Sequence, residues 1–313
     1  MTRLDLRVRA LGWVLSRASL SGKSDADLVR MQRRAIGHNV VTDLIFGSVI
    51  EGVDVTDKRI AGPAGELSVR TYRMAGEKAD RPLVLYFHGG GWVFGSLDMG
   101  DHVCSNIASR VDAVVVSVDY RLAPLFRFPA ALEDCFTALV WAVSHSTELG
   151  ANGSSVGVVG ESAGGNLAAA VCLLAKERSG PPIRHQALIY PAIDLTLSSA
   201  SMLANDREPI LSAADMAEMR DCYLADQDPR QPHASPIFAK DHSGLPPALI
   251  QVAEHDPLRD DGIRYADVLN RSNVPVRVTE YVGMPHGYLN FPLVCKAAPQ
   301  ALAELCTEIS RSK

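Results

Sequence analysis

The stretch from Val156 to Ala170, VGVVGESAGGNLAAA, decides the fold. Its apolar start predicts a short buried strand, and the small residues that follow Gly164 predict a helix. Between them, the pattern G-x-S-x-G places Ser162 at the apex of a sharp strand-to-helix turn. Only residues without a side chain fit at Gly160 and Gly164, because the chain passes very close to itself there. This context favours a nucleophile elbow over a glycine-rich turn that merely lets a helix pack against a strand.

Unbroken apolar runs alternate with helical patterns over the two hundred residues around this stretch. Such runs are typical of parallel strands that helices cover on both faces. The predicted strands are Leu83–Phe87, Ala113–Val118, Val156–Val159, Ala187–Ile189, Ala248–Val252 and Val276–Tyr281. The predicted helices are His102–Arg110, Pro129–Ser144, Ser162–Glu177, Arg259–Ser272 and Leu293–Ile309. The chain is therefore predicted to be an α/β protein with a mostly parallel central sheet.

The N-terminal part has a different pattern. Two helices are predicted at Leu4–Leu15 and Ser24–Ile36, followed by antiparallel strands at Val49–Ile60 and Leu67–Tyr72. The first helix is amphipathic and carries several arginines, so it fits either its own protein or a membrane surface; packing on its own protein is the more frequent case.

One interval, from about Asp194 to Leu245, interrupts the alternation of strands and helices. It is rich in Asp, Pro, Ser and Met and contains a predicted helix at Ser212–Tyr223. We expect it to be part of a cap over the active site; a surface excursion is the alternative.

Length and composition restrict the class of protein. The 313 residues, 47% of them hydrophobic, are expected to form a single domain over 1–313, with a cap subregion from about 1–45 and 195–240. The net charge of -5 gives no basic surface for nucleic acid. We find no signal peptide or membrane span, so a cytoplasmic location without stable membrane insertion is expected. The six cysteines lack metal-site spacing and are expected to be reduced thiols.

A serine hydroxyl needs a base to take its proton, and that base needs an acid to orient it. In sheets of this kind the chain order is serine, acid, histidine. His286 follows the last predicted strand in a Gly- and Pro-rich loop, and Asp256 follows the strand before it. Both stand at carboxyl ends of strands, where catalytic side chains gather. Glu254 competes for the role of acid, whereas Asp260 and Asp261 are expected to charge the first turn of the next helix.

A developing oxyanion needs backbone N–H groups aimed at it. The turn His88-Gly89-Gly90-Gly91-Trp92, which follows a predicted strand, is suited to this task, and Ala163 supplies another N–H. A phosphate-binding loop is disfavoured because neither G-K-[ST] nor G-x-G-x-x-G is present.

Together, the motifs HGGGW at 88–92, DYRLAP at 119–124, GESAGGN at 160–166, DPLRD at 256–260 and HG at 286–287 resemble the hormone-sensitive-lipase-like carboxylesterases. The resemblance runs from about Pro82 to the end. It implies the α/β-hydrolase fold with a helical cap, Ser162 as nucleophile, Asp256 as acid and His286 as base. It assigns the oxyanion hole to Gly89, Gly90, Gly91 and Ala163, with the choice among the glycines left open.

Two positions depart from the pattern of this family. Leu125 stands where a Glu is usual, so a structural ion pair is expected to be lost from that loop. Glu161, before the nucleophile, resembles the Asp of one main group but is not identical to it.

These features predict ester hydrolysis through an acyl-enzyme intermediate, with no metal or organic cofactor. The family resemblance implies short- to medium-chain acyl groups. The base must start neutral, so activity should fall below the ordinary histidine pKa of about 6.5. Trp92 and Phe94 are candidate substrate contacts, as are Met202, Met216 and Met219 of the predicted cap, although such side chains are more often core.

Three questions stay open at the level of sequence. The alternatives to an esterase are a ligand-binding protein on the same scaffold, as in related plant hormone receptors that have lost the histidine, and an amidase or peptidase. By analogy with some relatives, the last strand and helix offer a surface for a homodimer. The natural ester substrate, a small molecule, is not identified.

Overall fold

The structure is a computed structural model in which residues 4–15, 23–32, 40–76 and 78–311 are described. Helices line both faces of one sheet. They are α1 (Leu6–Leu15), α2 (Asp25–Gln32), α3 (Val40–Phe46), α4 (Leu97–Val111), α5 (Ala130–Ser144), α6 (Ser146–Leu149), α7 (Ala163–Glu177), α8 (Ala200–Ala204), α9 (Ala213–Leu224), α10 (Arg259–Arg271) and α11 (Ala298–Arg311).

The sheet has eight strands in the order β1-β2-β4-β3-β5-β6-β7-β8. The strands are β1 (Val53–Gly62), β2 (Gly65–Met74), β3 (Arg81–Phe87), β4 (Val114–Val118), β5 (Ala151–Glu161), β6 (Ile183–Ile189), β7 (Ala248–His255) and β8 (Val276–Pro285). β2 pairs antiparallel with β1 and with β4, and the remaining pairs are parallel. The predicted α/β class and mostly parallel sheet are confirmed.

Burial explains why the apolar runs identified these strands. Every residue of β4 is buried, and β3, β6 and β7 are buried along most of their length, because helices cover both faces. β1 lies at the edge of the sheet and is mostly exposed. Its hairpin with β2 closes through Pro63 and Ala64, between the two predicted antiparallel strands.

The register of the parallel strands aligns their carboxyl ends. Gly160 pairs with Phe87, Glu161 with Ile189, and His255 with Pro285. The residues that follow these pairs leave the sheet at one edge and next to one another. This edge therefore collects the glycine turn after β3, the serine turn after β5 and the loops after β7 and β8.

Several elements differ from the prediction. β5 and β8 extend beyond the predicted runs, and α3, α6 and α8 were not predicted, because four to seven residues carry too little periodicity to show a helix. The second N-terminal helix was predicted to reach Ile36; α2 is described to Gln32, and residues 33–39 lie outside the described residues. α11 begins at Ala298, five residues after the predicted Leu293.

The first helix packs against its own protein. Val8 of α1 is fully buried in a cluster that contains residues of β3, α4 and α11, and Leu4 and Leu11 pack against the same cluster. A Cβ at Gly12 would lie 2.3 Å from Cβ of Pro209. Helix α1 therefore also packs closely against the segment between α8 and α9. None of the helices that the structure describes is long and apolar enough to cross a membrane.

Candidate active site

Ser162 stands between β5 and α7 in a strained conformation, with φ 54° and ψ -115°. Its N–H donates to the carbonyl of Ile189, and its own carbonyl accepts from Ala192. These bonds tie the turn to the neighbouring strand end, so that the surrounding structure sustains the strain. The serine is 7% exposed.

The two glycines of the elbow are required by close backbone contacts. A Cβ at Gly160 would lie 2.0 Å from the carbonyl oxygen of Gly164, and a Cβ at Gly164 would lie 2.0 Å from that of Phe87. A Cβ at Gly165 would lie 2.8 Å from Cβ of Pro191. The packing around Gly160 and Gly164 therefore supplies the steric reason for the G-x-S-x-G pattern.

A continuous hydrogen-bond chain joins the three predicted catalytic side chains. His286 Nε2 lies 2.9 Å from Ser162 Oγ, and His286 Nδ1 lies 2.8 Å from Asp256 Oδ2. The other carboxylate oxygen of Asp256 accepts from the N–H of Leu258 at 2.8 Å, so both oxygens of the carboxylate are hydrogen-bonded. Asp256 has no exposed surface, so its interaction with the ring is little screened by water.

The competing acids are held in other contacts. Glu254 accepts from the N–H of Gly283. Asp260 accepts from the N–H of Ser201, and Asp261 accepts from the N–H groups of Ile193 and Asp194. Asp260 and Asp261 do lie in the first turn of α10, as predicted, but their carboxylates bind the segment after β6. Sequence alone did not show this second role.

The glycine turn after β3 lies directly beside Ser162. A Cβ at Gly89 would lie 3.5 Å from Cβ of Ser162, whereas a Cβ at Gly91 would lie 2.0 Å from Sδ of Met219 on α9. The carbonyl of Gly90 accepts from Val93 and Phe94, which closes the turn. Ala163 is the first residue of α7, where a backbone N–H has no acceptor within the helix.

His88 stabilises this turn through its side chain and its backbone carbonyl. Its Nδ1 lies 2.8 Å from the carbonyl oxygen of Gly89, and its ring stacks on Tyr120 at 4.2 Å. The Tyr120 hydroxyl donates to the His88 carbonyl at 2.7 Å. Burial lowers the pKa of His88 to about 4, so the ring is neutral near pH 7 and serves as a structural donor rather than a charge.

The predicted substrate contacts differ in their surroundings. Trp92 has no exposed surface and stacks on Tyr223 of α9 at 4.6 Å with an interplanar angle of 5°. Phe94 and Met219 are half-buried against the core, while Met202 and Met216 are buried. Trp92, Met202 and Met216 thus occupy the core, the more frequent position for such side chains, and Phe94 and Met219 have surface left to meet a ligand.

The loop that carries the departure at Leu125 keeps an ion pair. Arg121 binds Asp134 of α5 with Nε 2.8 Å from Oδ2, and the guanidinium lies 5.4 Å from the centre of the Phe126 ring. Leu125 itself is exposed. The expected loss of an ion pair at position 125 leaves this neighbouring pair in place.

Sequence reasoning missed a set of polar side chains behind the triad. Glu161 and Tyr190, both buried, and the half-buried Asn290 form a hydrogen-bonded group next to His286. Their spacing in the chain carries no motif, and only the unusual Glu161 gave a signal.

The six cysteines are free thiols, and five of them are buried. Burial raises the pKa of Cys172 and Cys295, which keeps these thiols protonated and unreactive.

A family model described as the alpha/beta hydrolase fold matches residues 84–290. The chain is 43% identical over 251 residues to the esterase LipI of Mycobacterium tuberculosis, a match that covers 79% of this chain and 78% of LipI. It is 39% identical over 262 residues to the carboxylesterase NlhH of the same species, with 82% of each chain covered.

Two solved esterase structures are also similar to this chain over almost their whole length. A hyperthermophilic esterase from the archaeon Pyrobaculum calidifontis superposes with a TM-score of 0.90 at 36% sequence identity, and the match covers 99% of both chains. The thermostable carboxylesterase EstE1, cloned from a metagenomic library, superposes with a TM-score of 0.85 at 35% identity over 93% of this chain and 98% of that chain.

Proposed function

Because the chain belongs to the hormone-sensitive-lipase-like carboxylesterases of the α/β-hydrolase fold, we propose that it hydrolyses carboxylic esters with Ser162 as nucleophile, His286 as base and Asp256 as the orienting acid. The observation that carries this proposal is the unbroken chain of hydrogen bonds from Ser162 Oγ through the imidazole to Asp256. Named relatives that are esterases support the type of bond.

The reaction proceeds by two acyl transfers. Ser162 Oγ forms a bond to the ester carbonyl carbon while His286 Nε2 takes the serine proton. His286 then gives this proton to the leaving alcohol oxygen as the bond between that oxygen and the acyl carbon breaks. Water repeats the sequence on the acyl-enzyme: its proton passes to His286, its oxygen bonds to the carbonyl carbon, and Ser162 leaves with the proton as the acid is released.

The oxyanion is held by backbone N–H groups in this proposal. Gly89 adjoins Ser162 and Gly91 faces α9, so we assign the hole to the side of the turn at Gly89 and Gly90, together with Ala163. Losing one such donor typically costs about a hundredfold or more in kcat. The bond from His88 to Gly89 supports the turn in this position.

A cap formed by residues of about 1–45 and 195–240 is part of the proposal. Gln32 of α2 donates to the carbonyls of Val93 and Ala123 at 2.7 and 2.6 Å, and Tyr223 of α9 stacks on Trp92. Both parts of the predicted cap therefore contact the residues just after the glycine turn. This small cap favours short- to medium-chain acyl groups. A homodimer and a cytoplasmic location stay predictions from the sequence.

Replacing the nucleophile tests the function directly. Ser162→Ala removes the attacking oxygen, so we expect turnover of a nitrophenyl acetate or butyrate to fall by about a thousandfold or more. Ser154→Ala, on the exposed part of β5, is the matched control and should keep parental activity. A series of nitrophenyl esters of increasing chain length measures the acyl preference, and matched anilides compare amide with ester hydrolysis.

Labelling distinguishes the enzyme from a ligand-binding protein. A fluorophosphonate should attach to the parent chain and not to Ser162→Ala, because only an activated serine displaces the fluoride. Turnover that survives in Ser162→Ala, or a parent chain that neither turns over esters nor takes the label, would show that the assignment is wrong.

A further inference from the structure

Glu161 is a fully buried carboxylic acid directly before the nucleophile, and none of the steps above uses it. Its Oε2 accepts from the Tyr190 hydroxyl at 2.5 Å and from Asn290 Nδ2 at 2.7 Å, and its Oε1 accepts from the Tyr86 hydroxyl. All three donors are neutral groups. Burying a carboxylate is costly unless its oxygens are hydrogen-bonded, and here the donors supply those bonds.

Two of these donors lead to His286. The Tyr190 ring meets the imidazole edge-on, with ring centres 4.9 Å apart and an interplanar angle of 62°. Tyr190 holds this place with φ 37°, an uncommon conformation for a bulky residue, and its N–H donates to the carbonyl of Gln251. Asn290 ends the helical turn Tyr288–Asn290 that begins two residues after His286. One carboxylate oxygen thus binds both the ring beside the imidazole and the loop that carries it.

The titratable side chains around Glu161 include four phenols and one thiol. Burial raises the pKa of each of them, so they are uncharged near neutral pH: Tyr86, Tyr120, Tyr190, Tyr288 and Cys104. Burial also raises the pKa of Glu161, while Tyr190, Tyr86, Asn290 and the charge of His286 oppose that rise.

His286 has a second set of neighbours. Asp256, Ser162 and Tyr190 contact its ring, and Asp256 is the acidic group among them. Glu161 would therefore place a second anion near the imidazole.

We propose that Glu161 is a positioning residue for the catalytic base. Through Tyr190 and Asn290 it holds the His286 imidazole within reach of Ser162, and its negative charge stabilises the imidazolium that forms when His286 takes the serine proton. This inference rests on the proposed esterase function and adds a fourth side chain to the group that sets its rate.

The first test is Glu161→Gln, which keeps the size of the side chain and removes its charge. We expect kcat on a nitrophenyl ester to fall about tenfold or more with a smaller change in KM, because a displaced base slows both proton transfers. We also expect the acid limb of the kcat/KM profile to move about half a pH unit lower, since the protonated imidazole loses an attractive charge. A purely structural role would not move that limb.

Conservative variants separate charge from shape. Glu161→Asp keeps the anion, so its acid limb should stay within about 0.2 of the parental pH even if kcat falls. Tyr190→Phe keeps the ring beside His286 and removes its bond to Glu161, so kcat should fall severalfold. Glu304→Gln is the matched control: this carboxylate also binds a phenol and an amide, Tyr281 and Gln251, but lies away from the triad. It should leave kcat and the acid limb unchanged.

The inference would be overturned if Glu161→Gln, folded as judged by thermal unfolding, kept the parental kcat or the parental acid limb. If Glu161→Gln does not fold, parental kcat in both Glu161→Asp and Tyr190→Phe would overturn it. Failure of the esterase function has a different signature, because the parent chain itself would then be inactive on esters and unlabelled by a fluorophosphonate.

Discussion

At the scale of single residues, the active site depends on positions that tolerate no added atom. The elbow brings three backbone segments into contact, and glycine is needed wherever a side chain would meet another carbonyl. Ser162 itself carries the strain of a positive φ, which its hydrogen bonds to Ile189 and Ala192 stabilise. The geometry of Ser162 and the stability of the fold are therefore coupled at this turn.

Gly164→Ala tests this coupling. Its new methyl group would lie 2.0 Å from the carbonyl oxygen of Phe87, a rigid strand atom, so β3 and α7 must separate. We expect the free energy of unfolding to fall by about 1–3 kcal/mol and ester turnover to be largely lost. Chemical denaturation and a nitrophenyl ester assay measure the two effects.

Gly157→Ala is the control for this substitution. Gly157 lies on β5, the strand that leads into the elbow. A Cβ there would lie 3.8 Å from its nearest neighbour, the carbonyl oxygen of His185. It should lose little stability or activity; equal damage in both variants would contradict the steric argument.

At the scale of elements, α9 connects the proposed cap to the catalytic edge of the sheet. A capping box at Ser212 and Asp215 defines its start, and Tyr223 near its end stacks on Trp92. Met219, between them, lies against Gly91. The position of this helix therefore sets the space above the glycine turn.

Met219→Ala is expected to enlarge that space. The ratio of kcat/KM for a longer nitrophenyl ester to that for the acetate should rise by up to about tenfold, the scale of one or two methylenes in an apolar pocket. Asp221→Ala, exposed on the same helix, should leave the ratio unchanged. An unchanged ratio in Met219→Ala would show that the acyl group does not bind beside Met219.

At the scale of the whole molecule, a buried carboxylate joins the segment after β6 to α10. Asp261 accepts from the N–H groups of Ile193 and Asp194, and burial raises its pKa from 3.8 to about 7. The folded state thus keeps a proton between pH 4 and 7 that the unfolded chain has released. Stability from this group is complete below pH 3.8 and is lost as the pH rises through about 7.

Asp261→Asn removes this titration while keeping an oxygen for the two N–H donors. The difference in Tm, Asp261→Asn minus parent, should be at least about 3 °C larger at pH 8 than at pH 4. The reason is that only the parent must bury a charge at the higher pH. Asp267→Asn, on the exposed side of α10, should show no such trend. If the difference in Tm between Asp261→Asn and the parent does not change with pH, the raised pKa of Asp261 is refuted. Thermal unfolding over a pH series measures all three chains.

The amino-acid sequence determined the class of fold, and it predicted the three residues proposed as the triad. Buried parallel strands need unbroken apolar runs, and the elbow needs glycines, so these constraints are local and are visible in the chain. Asp256 and His286 could be proposed because each stands in the loop that follows a predicted strand. Motif resemblance added the family.

Only the tertiary structure decided how these loops meet and what supports them. The register that pairs His255 with Pro285 and Glu161 with Ile189 places Asp256 beside His286 and Ser162 beside Tyr190. The bonds of Glu161 to Tyr190 and Asn290 span 29 and 129 residues, and no local pattern records them. Contacts between distant residues depend on the packing of the whole sheet, which is why these bonds of Glu161 could not be predicted from the sequence.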